Sequence, residues 1–168
     1  MLRIAISVIS ILLLVLVIGY GLQHEERFQK DTPSTLAGTI LTGKVTMSHG
    51  QTLYGYPTLD SPLYNLFSSP TAFCSLPFKN ANADKAFKDN VSGHYTYRKT
   101  APMEATIWFT LETPQQYNGL KLRVLLTFTH AMGGTFTSQY FDKNNQPEQA
   151  TQEGNFQLSM NTDNKTCP

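Results

Sequence analysis

Charge is missing from one stretch of this chain: the 19 residues from Ile4 to Leu22 hold no Asp, Glu, Lys or Arg. Charge of one sign is missing from the rest. Residues 31–168 carry 10 acidic and 10 basic side chains, and the whole chain of 168 residues has a net charge of +1. Without a basic field there is no electrostatic footprint for nucleic acid or for anionic lipid. Catalytic signatures are missing as well. There is no Gly-x-Ser-x-Gly elbow and no glycine-rich phosphate loop, since Gly133-Gly134 precedes a strand pattern and not a helix. There is no His-Glu-x-x-His and no Cys-x-x-Cys, so neither a catalytic nor a structural metal is expected. A sustained helical period is missing from residues 36–168, which excludes parallel βαβ folds and leaves antiparallel sheet. The length suits one domain and is too short for two with a linker.

What is present begins with the uncharged run. About 20 apolar residues cross a bilayer core as a helix, so residues 4–22 are read as a transmembrane signal anchor, with Tyr20 at the interface. A cleaved signal peptide would have a shorter apolar core and an Ala-x-Ala site, where this chain has only Gly19-x-Gly21. No cysteine follows the run as a lipoprotein would need. The amino terminus and Arg3 face Arg27 and Lys30, diluted by Glu25 and Glu26, so charge alone leaves the orientation open. Cysteine adds to this: Cys74 and Cys167 are an even pair behind an export-type segment, suited to one disulfide in an oxidising compartment. That bridge would close a loop of 92 intervening residues; the alternative is two unrelated thiols, Cys74 packing in the core. The expected organisation is a short flank at 1–3, the anchor at 4–22, a tether at 23–35 and a β-domain at 36–168. The expected location is a bacterial inner membrane, crossed once, with the domain in the periplasm. The alternative is secretion after signal cleavage. The sequons Asn90-Val91-Ser92 and Asn164-Lys165-Thr166 matter only in a eukaryotic secretory pathway and are read as coincidence.

The period of the domain is two. Leu41, Gly43, Val45 and Met47 alternate with Thr42, Lys44, Thr46 and Ser48, and residues 52–56 are expected to return as a second strand. Prolines 62, 70 and 77 allow brief edge strands over 63–67 and 71–75, and residues 80–90 form a loop or one to two helical turns. The clean signal follows. Tyr95 and Tyr97 begin it; Ala105, Ile107, Phe109 and Leu111 make the next strand, and Leu120, Leu122, Val124, Leu126 and Phe128 the one after. Asn118-Gly119 joins these last two, a pair favoured where a tight hairpin needs positive φ at both central residues. Phe136, Ser138 and Tyr140 form another strand, residues 143–153 a polar loop, and Phe156, Leu158 and Met160 the last strand. Seven to nine locally connected strands predict an antiparallel up-and-down β-barrel, which has no free edges, with a two-sheet sandwich as the alternative.

This strand order, opening with Leu36-Ala37-Gly38-Thr39-Ile40, resembles the small lipocalin-like barrels of the calycin group, whose first strand carries a Leu-x-Gly-x-Trp pattern. Here Ile40 stands at the tryptophan's place. The hairpin from Leu126-Thr127-Phe128-Thr129 to Gly133-Gly134-Thr135-Phe136-Thr137 is similar to those of bacterial lipocalin-like envelope domains. The resemblance implies a carboxy-terminal cysteine tied to a barrel strand, as Cys167 with Cys74 would be.

An eight-stranded barrel is either just filled by side chains or wide enough for one small ligand. Tyr54, Tyr56, Tyr95, Tyr97, Phe109, Phe128, Phe136 and Tyr140 are therefore the candidate ligand-binding wall, the alternative being that they fill the core. Thr106, Thr110, Thr127, Thr129, Thr135 and Thr137 read as the outer face, and Trp108 among them as the anchor of a partner surface. His24, His49, His94 and His130 read as solvated, and Asp84 with Asp89 as loop carboxylates. The leading expectation is a membrane-anchored, non-enzymatic envelope protein, without cofactor, whose domain binds a small apolar ligand or an envelope component. An accessory subunit docking a membrane complex is the second reading. An enzyme assembled from loops is a third, and it would gather His49, His94 and His130 at one barrel mouth.

Overall fold

A computed structural model of the chain describes residues 32–50, 62–75 and 91–167. The anchor at 4–22, the strand expected at 52–56 with Tyr54 and Tyr56, the segment 80–90 with Asp84 and Asp89, and His24 lie outside the described residues. No helix among the described residues is long and apolar enough to cross a membrane. Eight strands are described: β1 (Thr39–His49), β2 (Pro62–Phe67), β3 (Ala72–Ser75), β4 (Ser92–Ala101), β5 (Glu104–Thr113), β6 (Lys121–His130), β7 (Gly133–Phe141) and β8 (Pro147–Met160). Each pairs antiparallel with its successor and β8 returns to β1, so the sheet is a closed barrel in sequence order. The ring excludes the two-sheet sandwich.

The alternation that predicted the strands also decides which side chains face inward. On β5, Ala105, Ile107, Phe109 and Leu111 are buried while Thr106, Trp108 and Thr110 point outward. Val124, Leu126 and Phe128 on β6, and Phe136 and Tyr140 on β7, continue the same wall. Three expectations are corrected. The register of β1 against β8 shifts between Val45 and Met47, which turns Met47 out to 46% exposure. Most of the polar loop expected at 143–153 is strand, because β8 starts at Pro147 and runs to Met160, which is exposed. At Asn118-Gly119 only Gly119 has positive φ (86°); Asn118 sits at φ −55°, ψ 124°. With the Leu120 amide donating to the Tyr117 carbonyl (3.0 Å), the geometry is that of a type II turn, which needs glycine at its second central position alone.

The two ends of the barrel differ. At the end where β4 and β6 finish, residues 32–38 run across the barrel with Leu36 fully buried. Tyr97 Oη donates to the Pro33 carbonyl (2.8 Å) and Lys99 Nζ to the Thr32 carbonyl (3.0 Å). Thr32 and Pro33, which fall in the expected tether, therefore pack with Leu36 as a plug, while Ser34 and Thr35 stay exposed. The opposite end is where β1, β3, β5 and β7 finish.

A second, smaller apolar cluster sits on the outside of the wall. Ile40, Leu66 and Cys74 face away from the main core yet are buried, packed against Tyr64 and Cys167. The Cys74–Cys167 disulfide, with Cα atoms 5.7 Å apart, holds residues 161–167 as a strap over this face. Lys165 hydrogen-bonds the Tyr64 hydroxyl and lies over its ring, 5.2 Å from the centroid. The bond to Tyr64 raises the Lys165 pKa above its ordinary value.

Candidate functional site

Five of the expected wall residues, Tyr95, Phe109, Phe128, Phe136 and Tyr140, are at most 5% exposed inside the barrel, and Tyr97 is half-buried. Their rings pack on one another and on neighbours the sequence reading did not single out. Phe67 meets Tyr95 edge-on at 4.7 Å, Phe73 meets Phe109 at 4.6 Å, and Phe128 meets Phe156 at 5.2 Å. Their hydroxyls have partners within the chain: Tyr95 Oη donates to the Ser69 carbonyl (2.9 Å), Tyr97 to Pro33, and Tyr140 to Gln152 Oε1 (2.9 Å). Burial pushes the Tyr95 and Tyr97 phenols up to about 12, since the dry interior disfavours phenolate. The plugged half of the barrel is thus a ring-packed core.

Toward the opposite end the inner wall changes character. Ser138 and Gln152, paired across β7 and β8, are each 4% exposed, as is Thr39 at the plugged end, whose Oγ1 donates to the Leu36 carbonyl (2.6 Å). Ser138 Oγ donates to the Gln152 carbonyl (3.5 Å), and Tyr140 reaches the Gln152 side chain from the next inward position. Further along the same alternation of β8 comes Glu148, half-buried, whose Oε2 is the one buried side-chain oxygen without a hydrogen-bond partner among the described residues. Burial first, and the charge of Asp142 second, raise the Glu148 pKa. Leu63 and Leu122 pack against the core near this end. A buried hydroxyl, phenol and amide and a carboxylate with an unpartnered oxygen can exchange hydrogen bonds with a polar head while the leucines receive apolar surface. The sequence reading missed Ser138, Glu148 and Gln152 as site residues. The signal was the alternation Ala150, Gln152, Gly154, Phe156, Leu158, hidden by placing Gln152 in a loop.

Trp108 stands where expected, on the outer face of β5 at 37% exposure. It is not isolated. Its ring packs on Phe141 (5.1 Å), and the Arg123 guanidinium lies 5.8 Å from both ring centroids. A groove of about 340 Å³ adjoins this corner, lined by Thr106, Arg123, Leu125, Thr137, Gln139 and Thr151 together with Ser138.

The histidines do not gather. His49 ends β1 and His130 ends β6, at opposite ends of the barrel, while His94 points outward on β4 with its Nε2 3.1 Å from Glu112 Oε1. No group of three or more His, Cys, Asp or Glu side chains suited to a metal occurs among the described residues.

Fold and site define the chain as a closed, disulfide-strapped, eight-stranded antiparallel barrel with a plugged end and a polar patch on its inner wall. Comparison of the chain with family models, with curated proteins and with solved structures returns no match.

Proposed function

We propose that this chain is a lipocalin-like binding module of a cell envelope, held at a bacterial inner membrane by residues 4–22, with its barrel on the periplasmic side. It takes one small, largely apolar ligand through the end opposite the plug. The observation that carries this reading is the Ser138–Tyr140–Gln152 group on the inner wall at the end opposite the plug, with Glu148 beside it holding a buried oxygen that has no hydrogen-bond partner. Burying polar groups costs stability, most of all where an oxygen is left without a partner, so this cluster beside Glu148 favours a role in orienting a guest. The disulfide supports an oxidising compartment. The tyrosines and phenylalanines of the plugged half serve as the floor that limits how deep the ligand goes.

The test is native mass spectrometry of the full-length chain, extracted from membranes without delipidation. The expected spectrum shows one small molecule per chain, and Leu122→Trp, which narrows that end, lowers its occupancy by about tenfold. A folded chain that carries no adduct in either form would overturn the reading.

A further inference from the structure

The outer groove beside Trp108 lies on the other face of the wall from the proposed interior site, with Ser138 common to both, and its architecture specifies a ligand of a different kind. Two transverse rows of outward side chains cross the sheet here. Trp108, Arg123, Gln139 and Thr151 face each other across β5, β6, β7 and β8, and Thr106, Leu125 and Thr137 form the next row. The register of β5 with β6, and of β6 with β7 through Thr127 and Thr135, runs without a shift, so the rows are fixed by the ladder itself. Arg123 is held over two rings, and the Gln139 Nε2 donates to the Glu148 carbonyl (2.5 Å), so both polar ends are positioned before anything binds.

The chemistry of this surface narrows the occupant. Three threonine hydroxyls that can both donate and accept surround a single apolar floor residue, Leu125, with a guanidinium at one end. A lipid would need more apolar floor than one leucine. A peptide adding itself as a strand needs a sheet edge, and the closed ring has none here. A protein partner needs about 800 Å² on each side, far more than this groove supplies. A volume of about 340 Å³ lies at the lower end of small-molecule sites. Sugar rings present hydroxyl rims with an apolar C–H face, and an acidic substituent would meet the planar donor fork of Arg123. Glu153, in the second row beside Thr137, sets the polarity, so that the acidic group belongs at the Arg123 end.

We propose that the β5–β8 outer groove is a binding site for a short acidic saccharide, its carboxylate on Arg123 and its ring across Leu125 between Thr106, Thr137 and Thr151. The chain has one tryptophan, and it sits beside this groove, so emission excited at the red edge, where the eight tyrosines do not absorb, reports on this site. The experiment titrates the full-length chain with a glucuronyl-glucose disaccharide and follows Trp108 fluorescence. Cellobiose serves as the neutral control, and inorganic phosphate and an acidic peptide as the other anions. The expected result is a saturable change with a dissociation constant on the order of 1 mM, weakened about tenfold in Arg123→Gln. Thr137→Val with Thr151→Val, a pair that keeps the β-branched shape, weakens it as well, with unchanged thermal midpoints showing that the barrel is intact. A flat titration overturns the proposal. So does an equal response to phosphate, which makes the groove an anion site only, or to the acidic peptide, which makes it a protein surface. None of these outcomes bears on the interior site, whose test reads a different ligand.

Discussion

Glu148 is the residue at which stability and pH meet. Its folded pKa is raised by burial and then by Asp142, so the folded state holds this proton more tightly than the unfolded chain does. The stabilisation from that proton is complete below the ordinary value of 4.5 and is lost as pH rises through the elevated folded value. Glu148→Gln should therefore match the parent in thermal melts at low pH and exceed it increasingly as pH rises. A difference that stays constant with pH would contradict this. Gly154 sets a second test at the same scale. A side chain there would run into the Lys44 carbonyl oxygen across β1 and would lie 2.5 Å from the Phe136 ring. Gly154→Val should cost more than about 3 kcal/mol, read from urea midpoints, because a backbone contact cannot step aside as a flexible side chain can. Among the site residues, the aromatic wall was legible in the sequence because rings at period two declare their face. Gln152 and Ser138 were not, because a polar residue at a core position looks like any strand or loop residue until its neighbours are known to be buried.

At the scale of elements, the strap and the short strands carry the expectations. Removing the disulfide with Cys74→Ser and Cys167→Ser releases a loop of 93 residues' separation and should cost about 4 kcal/mol in urea unfolding. It should also let residues 161–167 detach and uncover Ile40 and Leu66. β2 pairs with β3, and β3 with β4, over three residue pairs each, whereas β5 and β6 share seven. Amide hydrogen exchange should therefore be slowest in β5, β6 and β7 and fastest in β2 and β3. Uniform protection around the ring would show that the short strands are held by more than their ladders. The long strands were readable before any coordinates because Ile107, Phe109, Val124 and Leu126 alternate without interruption. β8 was half hidden. Its first residues, Pro-Glu-Gln, look like a turn, and only pairing of the stretch Thr151–Gln157 with β7 and β1 on both sides makes it a strand.

The whole molecule is a ring whose last strand must find its first. β1 and β8 pair at sequence separations above 100 residues, as in Thr39 with Met160. Closure of this kind is an entropic cost met before any contact rewards it, so refolding with the disulfide intact should take milliseconds to seconds in a stopped-flow measurement. A microsecond phase accounting for the full amplitude would mean that closure of the ring is not the slow step. The same pairing brings the chain in and out at one rim, which has a mechanical consequence. A pull between the two ends of the chain, on its own, would unzip β1 from β8 one residue pair at a time, the weakest way to load a sheet. The bridge from Cys167 to Cys74 reroutes that tension into β3 and leaves β8 slack. The disulfide thereby acts as a strain relief as well as a staple: tension between the start of β1 and the tail bypasses β8 while the bond is oxidised, and loads the β1–β8 seam once it is reduced.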